Sequence, residues 1–476
     1  MARAAFGIVS LARNDADLAL AERLFENLRN RILDGLWRHG EKLPGTRVIA
    51  RDAGVSRWTA VVAIDMLIAE GLVEARKRSG TYVAWHGAGR REDAAGSPAE
   101  TIKPNLPFAL SAPALDLFPL HVWRRLQARR WRQMPAAALE DGHKAGWPAL
   151  RQAIAEYATT VRNIQCTADQ VVVVPSVEAA GRLVAQVLCR PGSLAWIEDP
   201  GAPNARAIVQ SAQLVPINVA IDDEGLNVED GCRLAPLASL AVVTPAVQYP
   251  TGLRMSDARR HRVLEWAASA GSWIFEIDHT CEFPFGQPPS RPMASMPGAK
   301  RVVYFDTFGK MLFPSLRVAY LIVPRDTVSR FQNAVLSYDH PPGVPNQIIL
   351  ADFLMSGQFA KHLRRCREAY TERREALLRS LREHCADILS IDARQHGLFV
   401  CARLQRGLDD VMLARKAQEA GVVAEPLSTL YARPTDDCGL LLGYAGYRPE
   451  LIRDSAAKLA EALRSALSVR NRAAAG

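Results

Sequence analysis

The stretch Val302–Pro324, VVYFDTFGKMLFPSLRVAYLIVP, holds two apolar runs, Val302–Phe305 and Val318–Val323, on either side of a short link. Runs of this kind read as buried strands. The link carries one lysine, Lys310, and one arginine, Arg317. Alone, these residues leave two readings of Lys310 open. It is a reactive amine held in a pocket, or an ordinary solvated charge between two buried strands.

Outward from this stretch, strand-like and helix-like runs alternate from about Ile102 onward. QVVVVPS (170–176) and SLAWIEDPG (193–201) read as strands, with SVEAAGRLVAQVLCRPG (176–192) a helix between them. LAVVTPA (240–246) and SWIFEID (272–278) continue the series. Short β-branched runs separated by helices imply a mostly parallel sheet covered on both faces. Ligands in such folds gather at the carboxyl ends of the strands.

The first part of the chain has a different rhythm. LALAERLFENLRNRILDGL (18–36) spaces Leu24, Leu28, Ile32 and Leu36 for one helix face. A short helix is expected over Thr46–Ala53, then a turn at Gly54-Val55 and a helix capped by Ser56. Val61, Ile64 and Leu67/Ile68 are expected to face inward, with Arg57 and Thr59 outward. VEARKRSGTYVAW (73–85) reads as a hairpin with Arg76, Lys77 and Arg78 near its tip and Gly80 allowing the turn. Two helices joined tightly beside a basic hairpin form a winged helix, which places a helix N-terminus in the major groove. Residues 86–104, rich in Gly, Ala, Pro and charge, read as a flexible tether.

The 476 residues carry a formal charge of +9, which permits a nucleic-acid partner without requiring one. Eight scattered cysteines with no CxxC pair argue for reduced thiols and against a metal site. No apolar run approaches the ~20 residues of a membrane span, and no signal sequence is evident, so the cytoplasm is expected.

The succession LPGTRVIARDAGVSRWTAVVAIDMLIAEGLVEARKRSGTYV (43–83) closely resembles the GntR-type winged helix. By that resemblance Arg47, Ser56, Arg57, Thr59, Gly80 and Thr81 contact DNA, and Trp58 stands where a polar residue is more usual. The remainder resembles the fold-type-I, pyridoxal-phosphate (PLP) aminotransferases. The carrying stretches are LFPLHVWRRL (117–126), VVTPAVQYPTGLRMS (242–256), TFGKMLFPSLRVAYLIVP (307–324) and LLLGYA (440–445). In this order the segments are similar to the MocR/GabR family, in which a GntR winged helix precedes an aminotransferase-like domain. The resemblance implies a winged helix-turn-helix over 1–85, the linker over 86–104, and an α/β domain over 105–476. Its smaller α+β C-terminal subdomain begins near 345.

In that family the lysine matching Lys310 bonds covalently to PLP, and the arginine matching Arg317 clamps its phosphate. Thr307 and the amides opening a helix at Ser176, Val177 and Glu178 are placed to assist. Tyr249 and His279 are expected beside the cofactor. The family's aspartate for the ring nitrogen is replaced by Ile277, and Asp278 reaches that place only if the strand bulges. Further departures are Ala202 for a stacking aromatic, Asp141 for a tyrosine, Gly309 for a serine, Glu178 beside the phosphate, and Leu440 and Leu441 where an arginine is common.

The expectation is a homodimeric regulator that binds double-stranded operator DNA and senses a small effector, an amine or PLP, through PLP at Lys310. It is not expected to be an efficient transaminase, and no catalytic residue is assigned. Three alternatives stay open: an aminotransferase with an accessory DNA-binding domain, a regulator that has lost PLP, and an architectural dimer.

Overall fold

The computed structural model describes residues 17–76, 79–85, 106–110, 113–140, 144–279, 282–283, 289–335, 342–392, 394–405 and 407–475. The chain divides into two compact units, Met1–Lys103 and Pro104–Gly476. The expected tether and its neighbours, 86–105, lie outside the described residues, as do Lys77 and Arg78 of the hairpin tip and Asp141.

In the first unit, α1 (Asp17–Leu33), α2 (Thr46–Ala53) and α3 (Arg57–Ala69) precede a hairpin of β1 (Val73–Arg76) and β2 (Gly80–Val83). Leu24, Leu28 and Ile32 of α1 pack on Ile49, Ala60, Ile64, Leu67 and Val83. Leu36 lies beyond the helix end and is 67% exposed, because Gly35 turns the chain at φ 73°. Ser56 caps α3, its hydroxyl accepting from the Thr59 amide at 3.1 Å. The inward face of α3 is Thr59, Ala60, Ala63, Ile64 and Leu67, while Val61 is half-buried and Ile68 exposed. Gly80 has φ 120°, a conformation reserved for glycine, and a Cβ there would lie 2.7 Å from Lys42 Cε.

The second unit opens with α4 (Leu120–Trp131), α5 (Pro148–Val161), β3 (Val171–Val174), α6 (Val177–Leu188), β4 (Leu194–Asp199) and α7 (Pro203–Ser211). Next come β5 (Val215–Asp222), β6 (Gly225–Leu226), α8 (Val228–Leu234), β7 (Leu240–Val243), α9 (Asp257–Ala270) and β8 (Trp273–Ile277). β9 (Val302–Thr307), α10 (Phe308–Met311), β10 (Ala319–Ile322) and α11 (Val328–Val335) complete the large layer. The sheet order is β3-β10-β9-β8-β7-β4-β5-β6. β9, β8, β7, β4 and β5 are parallel, whereas β10 runs antiparallel to both β3 and β9. Both strands of the opening stretch are therefore central, and residues on them alternate between two cores. Tyr304, Tyr320 and Val173 face one, and Val303, Phe305, Phe275 and Leu321 the other.

The chain ends with α12 (Val344–Met355), α13 (Gln358–Cys385), β11 (Leu389–Ile391), β12 (Phe399–Leu404), α14 (Asp410–Glu419), β13 (Glu425–Pro426), β14 (Gly439–Gly443) and α15 (Pro449–Ala475). A separate antiparallel sheet in the order β11-β12-β14-β13 is built here. Among the described residues no helix is long and apolar enough to cross a membrane.

Candidate functional site

The register of the large sheet brings one set of ends together. Ala319, the first residue of β10, pairs with Val174 at the end of β3 and with Thr307 at the end of β9. The expected residues Ser176, Val177, Thr307 and Arg317 therefore follow or precede strands on a single edge. At that edge a cavity of about 400 Å³ is lined by Lys310, His279, Ile277, Ala202 and Tyr249, together with Glu198, Thr244, Leu398, Phe399 and Glu425. Three of the expected cofactor contacts, Lys310, His279 and Tyr249, are thus in the wall, and Ser176, Val177, Thr307 and Arg317 are outside it.

Lys310 lies in the single turn of α10, and among the described residues its amine makes no hydrogen bond or ion pair. Burial holds its pKa below the ordinary lysine value, because desolvation disfavours the ammonium. His279 is pushed down to about 4, first by burial and then by Lys310. Its Nδ1 is buried without a partner, and its ring meets Phe305 edge-on at 5.7 Å. A desolvated amine and a neutral imidazole therefore face one space.

The helix at the edge is α6, capped by Ser176 accepting from the Ala179 amide at 3.3 Å. Thr307 caps α10, accepting from the Gly309 amide at 3.1 Å. Both hydroxyls keep their own proton to donate. Arg317 adopts φ 53°, ψ 40° and is exposed, and its guanidinium makes no hydrogen bond or ion pair among the described residues. A non-glycine residue in this conformation is uncommon and points to a functional constraint. Glu178, also in the first turn of α6, is exposed.

Asp278 does not reach the cavity. The β8–β9 ladder continues unbroken through Ile277↔Phe305, and the Asp278 amide donates to Phe305 O at 2.9 Å. With no bulge, alternation turns Ile277 to the cavity and Asp278 to the opposite face. There Asp278 accepts from Arg162, and from Tyr304 Oη at 3.2 Å. The place expected for a ring-nitrogen partner is apolar.

The wall also holds groups that the sequence reading did not single out. Glu198, at the end of β4, accepts from the Thr244 amide at 3.1 Å and its hydroxyl at 2.5 Å. Burial pushes its carboxyl up to about 7. Glu425 stands beside the Tyr249 phenol, whose pKa is raised by burial and then by that carboxylate. Tyr249 packs edge-on against Phe399 at 5.5 Å. Behind them Leu441 is buried in a small core with Cys401 and Leu427, and Leu440 faces the main core. Among the described residues no arginine lines the cavity.

On the first unit, Arg47, Ser56 and Arg57 are exposed, and neither guanidinium is paired among the described residues. Thr81 is half-buried at the start of the hairpin's return strand. Thr59 departs from expectation: it is fully buried, and its hydroxyl lies 2.8 Å from that of Ser56. It stands four residues before Ala63 and eight before Leu67, which places it on the core stripe. Trp58, one residue earlier, takes the outward place.

Residues 20–83 match the family model for bacterial regulatory proteins of the gntR family, and residues 109–453 match aminotransferase class I and II. The chain is 35% identical over 463 residues to the probable rhizopine catabolism regulatory protein MocR of Rhizobium meliloti, covering 92% of this chain and 93% of that protein. It is 28% identical to the transcriptional regulator TauR of Rhodobacter capsulatus, covering 94% and 97%. Among solved structures, the α-aminoadipate aminotransferase LysN of Thermus thermophilus superposes with a TM-score of 0.70 at 26% identity, covering 76% of this chain and 93% of that one. A gntR-type winged helix ahead of an aminotransferase domain, in one chain with near end-to-end similarity to such regulators, places this protein in the MocR-type family of DNA-binding transcriptional regulators.

Proposed function

We propose that the aminotransferase-like domain is an effector sensor that holds PLP at Lys310. The observation that carries this reading is the unpaired, desolvated Lys310 amine facing the cavity beside the unpartnered Nδ1 of His279. The T. thermophilus relative was solved with N-(5'-phosphopyridoxyl)-L-leucine, which supports the choice of group.

The residues present fit PLP as a held aldehyde and not as an electron sink. Lys310 would hold it, His279 would face the ring, and Arg317, Ser176 and Thr307 would take the phosphate as free donors. PLP supplies an aldehyde carbon that takes up an amine reversibly. Ile277 gives the ring nitrogen no acidic partner, so efficient transamination is not expected of this domain. Glu425, with no arginine in the described wall, favours an effector carrying an ammonium group and no carboxylate.

An effector regulates only by binding two conformations with different affinity. The domain is proposed to act as a cytoplasmic homodimer, so that two winged helices engage paired half-sites. The test is a visible absorbance spectrum with PLP added and removed, then borohydride reduction and peptide mass analysis. A band near that of protein-bound PLP, with the adduct on Lys310, is expected. No band and no adduct would overturn the PLP reading in favour of a regulator that senses without it.

A further inference from the structure

The outward side of α3 is unusual for a helix that meets DNA. Arg57, Trp58, Val61, Val62 and Asp65 are exposed or half-exposed in its first three turns, and Met66, Ile68 and Ala69 at its far end. Ser56 and Thr59 are occupied with each other and with the helix cap. Arg57 and the indole N–H of Trp58 are the donors that this first turn leaves clear of the cap. Trp58 is 57% exposed, with no ring contact or hydrogen bond among the described residues. Its large apolar surface is left in water, although aromatic side chains gain most from burial. Asp65, two turns further on, would repel phosphates, so the first turn is the part that approaches closely.

One base feature in the major groove is read without a hydrogen bond, the thymine 5-methyl group. We propose that Trp58 sets sequence preference by packing its indole on thymine methyls, while the unpaired guanidinia of Arg47 and Arg57 hold the flanking DNA. The proposal rests on the DNA-binding role of this unit. Each half-site should then carry thymine under the first turn of α3.

The full-length protein is used to select sites from randomised duplexes. Each thymine of the selected half-site is then replaced singly by uracil, which lacks only the methyl, and affinity is read at one fixed salt concentration. Wild type should lose about fourfold at one or two thymines, the value of keeping a single methyl in water. At those positions 5-methylcytosine should bind more tightly than cytosine. Trp58→Ala should bind thymine and uracil duplexes equally, with an unchanged salt dependence and melting temperature, and Trp58→Phe should keep part of the discrimination. A thymine–uracil difference that persists undiminished in Trp58→Ala overturns the proposal. So does a wild-type site with no uracil-sensitive position. Failure of wild type to select any site would overturn the DNA-binding role as well, which separates the two failures.

Discussion

Arg162 grips Asp278, and both side chains are sealed from solvent on the sheet face that does not carry the cavity. The same cluster holds Asp306, whose carboxyl is pushed well above its ordinary range by burial and then by Glu282 and Asp278. Asp278 is the carboxyl of this cluster that pairs with the guanidinium, while Asp306 accepts from the Thr307 amide and the Tyr320 hydroxyl. Asp278→Asn should cost on the order of 3 kcal/mol in chemical denaturation, since it strands a buried charge. It should leave the absorbance of PLP-treated protein unchanged. A spectrum altered as much by Asp278→Asn as by His279→Phe would place Asp278 in the cofactor site after all.

Cap and contact can be separated at the head of α3. Ser56→Ala removes the acceptor for the Thr59 amide and should destabilise the first unit by about 1 kcal/mol. Arg57→Ala should leave the melting temperature alone, weaken operator binding and lower the slope of log affinity against log salt by about 1. Operator binding by Arg57→Ala equal to that of wild type would show that this turn does not face DNA.

Stability should fall as pH rises from about 5 to about 8, on account of two buried carboxyls. Glu198 and Glu276 are both pushed up to about 7 by burial, from an ordinary value of 4.5. Below 4.5 each is protonated whether the chain is folded or unfolded. Between 4.5 and 7 only the unfolded chain gives up the proton, so the unfolded state gains. His279 works in the opposite sense, since its value is lowered to about 4 and stability is lost as pH falls below 6.5. Glu198→Gln, which keeps both groups hydrogen-bonded to Thr244, should shrink the drop between pH 5 and 8 by roughly 1–3 kcal/mol. An unchanged drop would mean that the Glu198 carboxyl ionises normally.

Arg317 is strained, and it is the proposed phosphate clamp. A left-handed non-glycine residue costs about 1–2 kcal/mol, and glycine recovers this less about 0.4–1 kcal/mol of unfolded-chain entropy. Arg317→Gly should therefore melt no lower than wild type while binding PLP more weakly. A clear loss of stability would mean that the guanidinium is structural.

Local features were legible where one short segment decides them. The limits of α2, the Ser56 cap and the two central strands all follow from apolar period, cap chemistry and turn residues. Thr59 was assigned outward because it is polar, but helix geometry places it in line with Ala63 and Leu67. Asp278 was legible only as a choice between faces, and the unbroken ladder settles that choice. Glu198 and Glu425 were not legible as partners in one wall. They end β4 and form β13, 227 positions apart in number, and nothing local marks either as facing a cavity.

The cavity wall is drawn from two sheets that share no strand: Ile277 and Glu198 belong to the large one, Phe399 and Glu425 to the small one. Under the proposed sensing role, an occupant spanning this gap would act as a spacer, and its length would set how widely the jaws stand apart. Ligands with the same headgroup can then differ in effect while matching in affinity. A short amine would let the jaws meet and a long one would prop them open, so chain length would sort inducers from competitors.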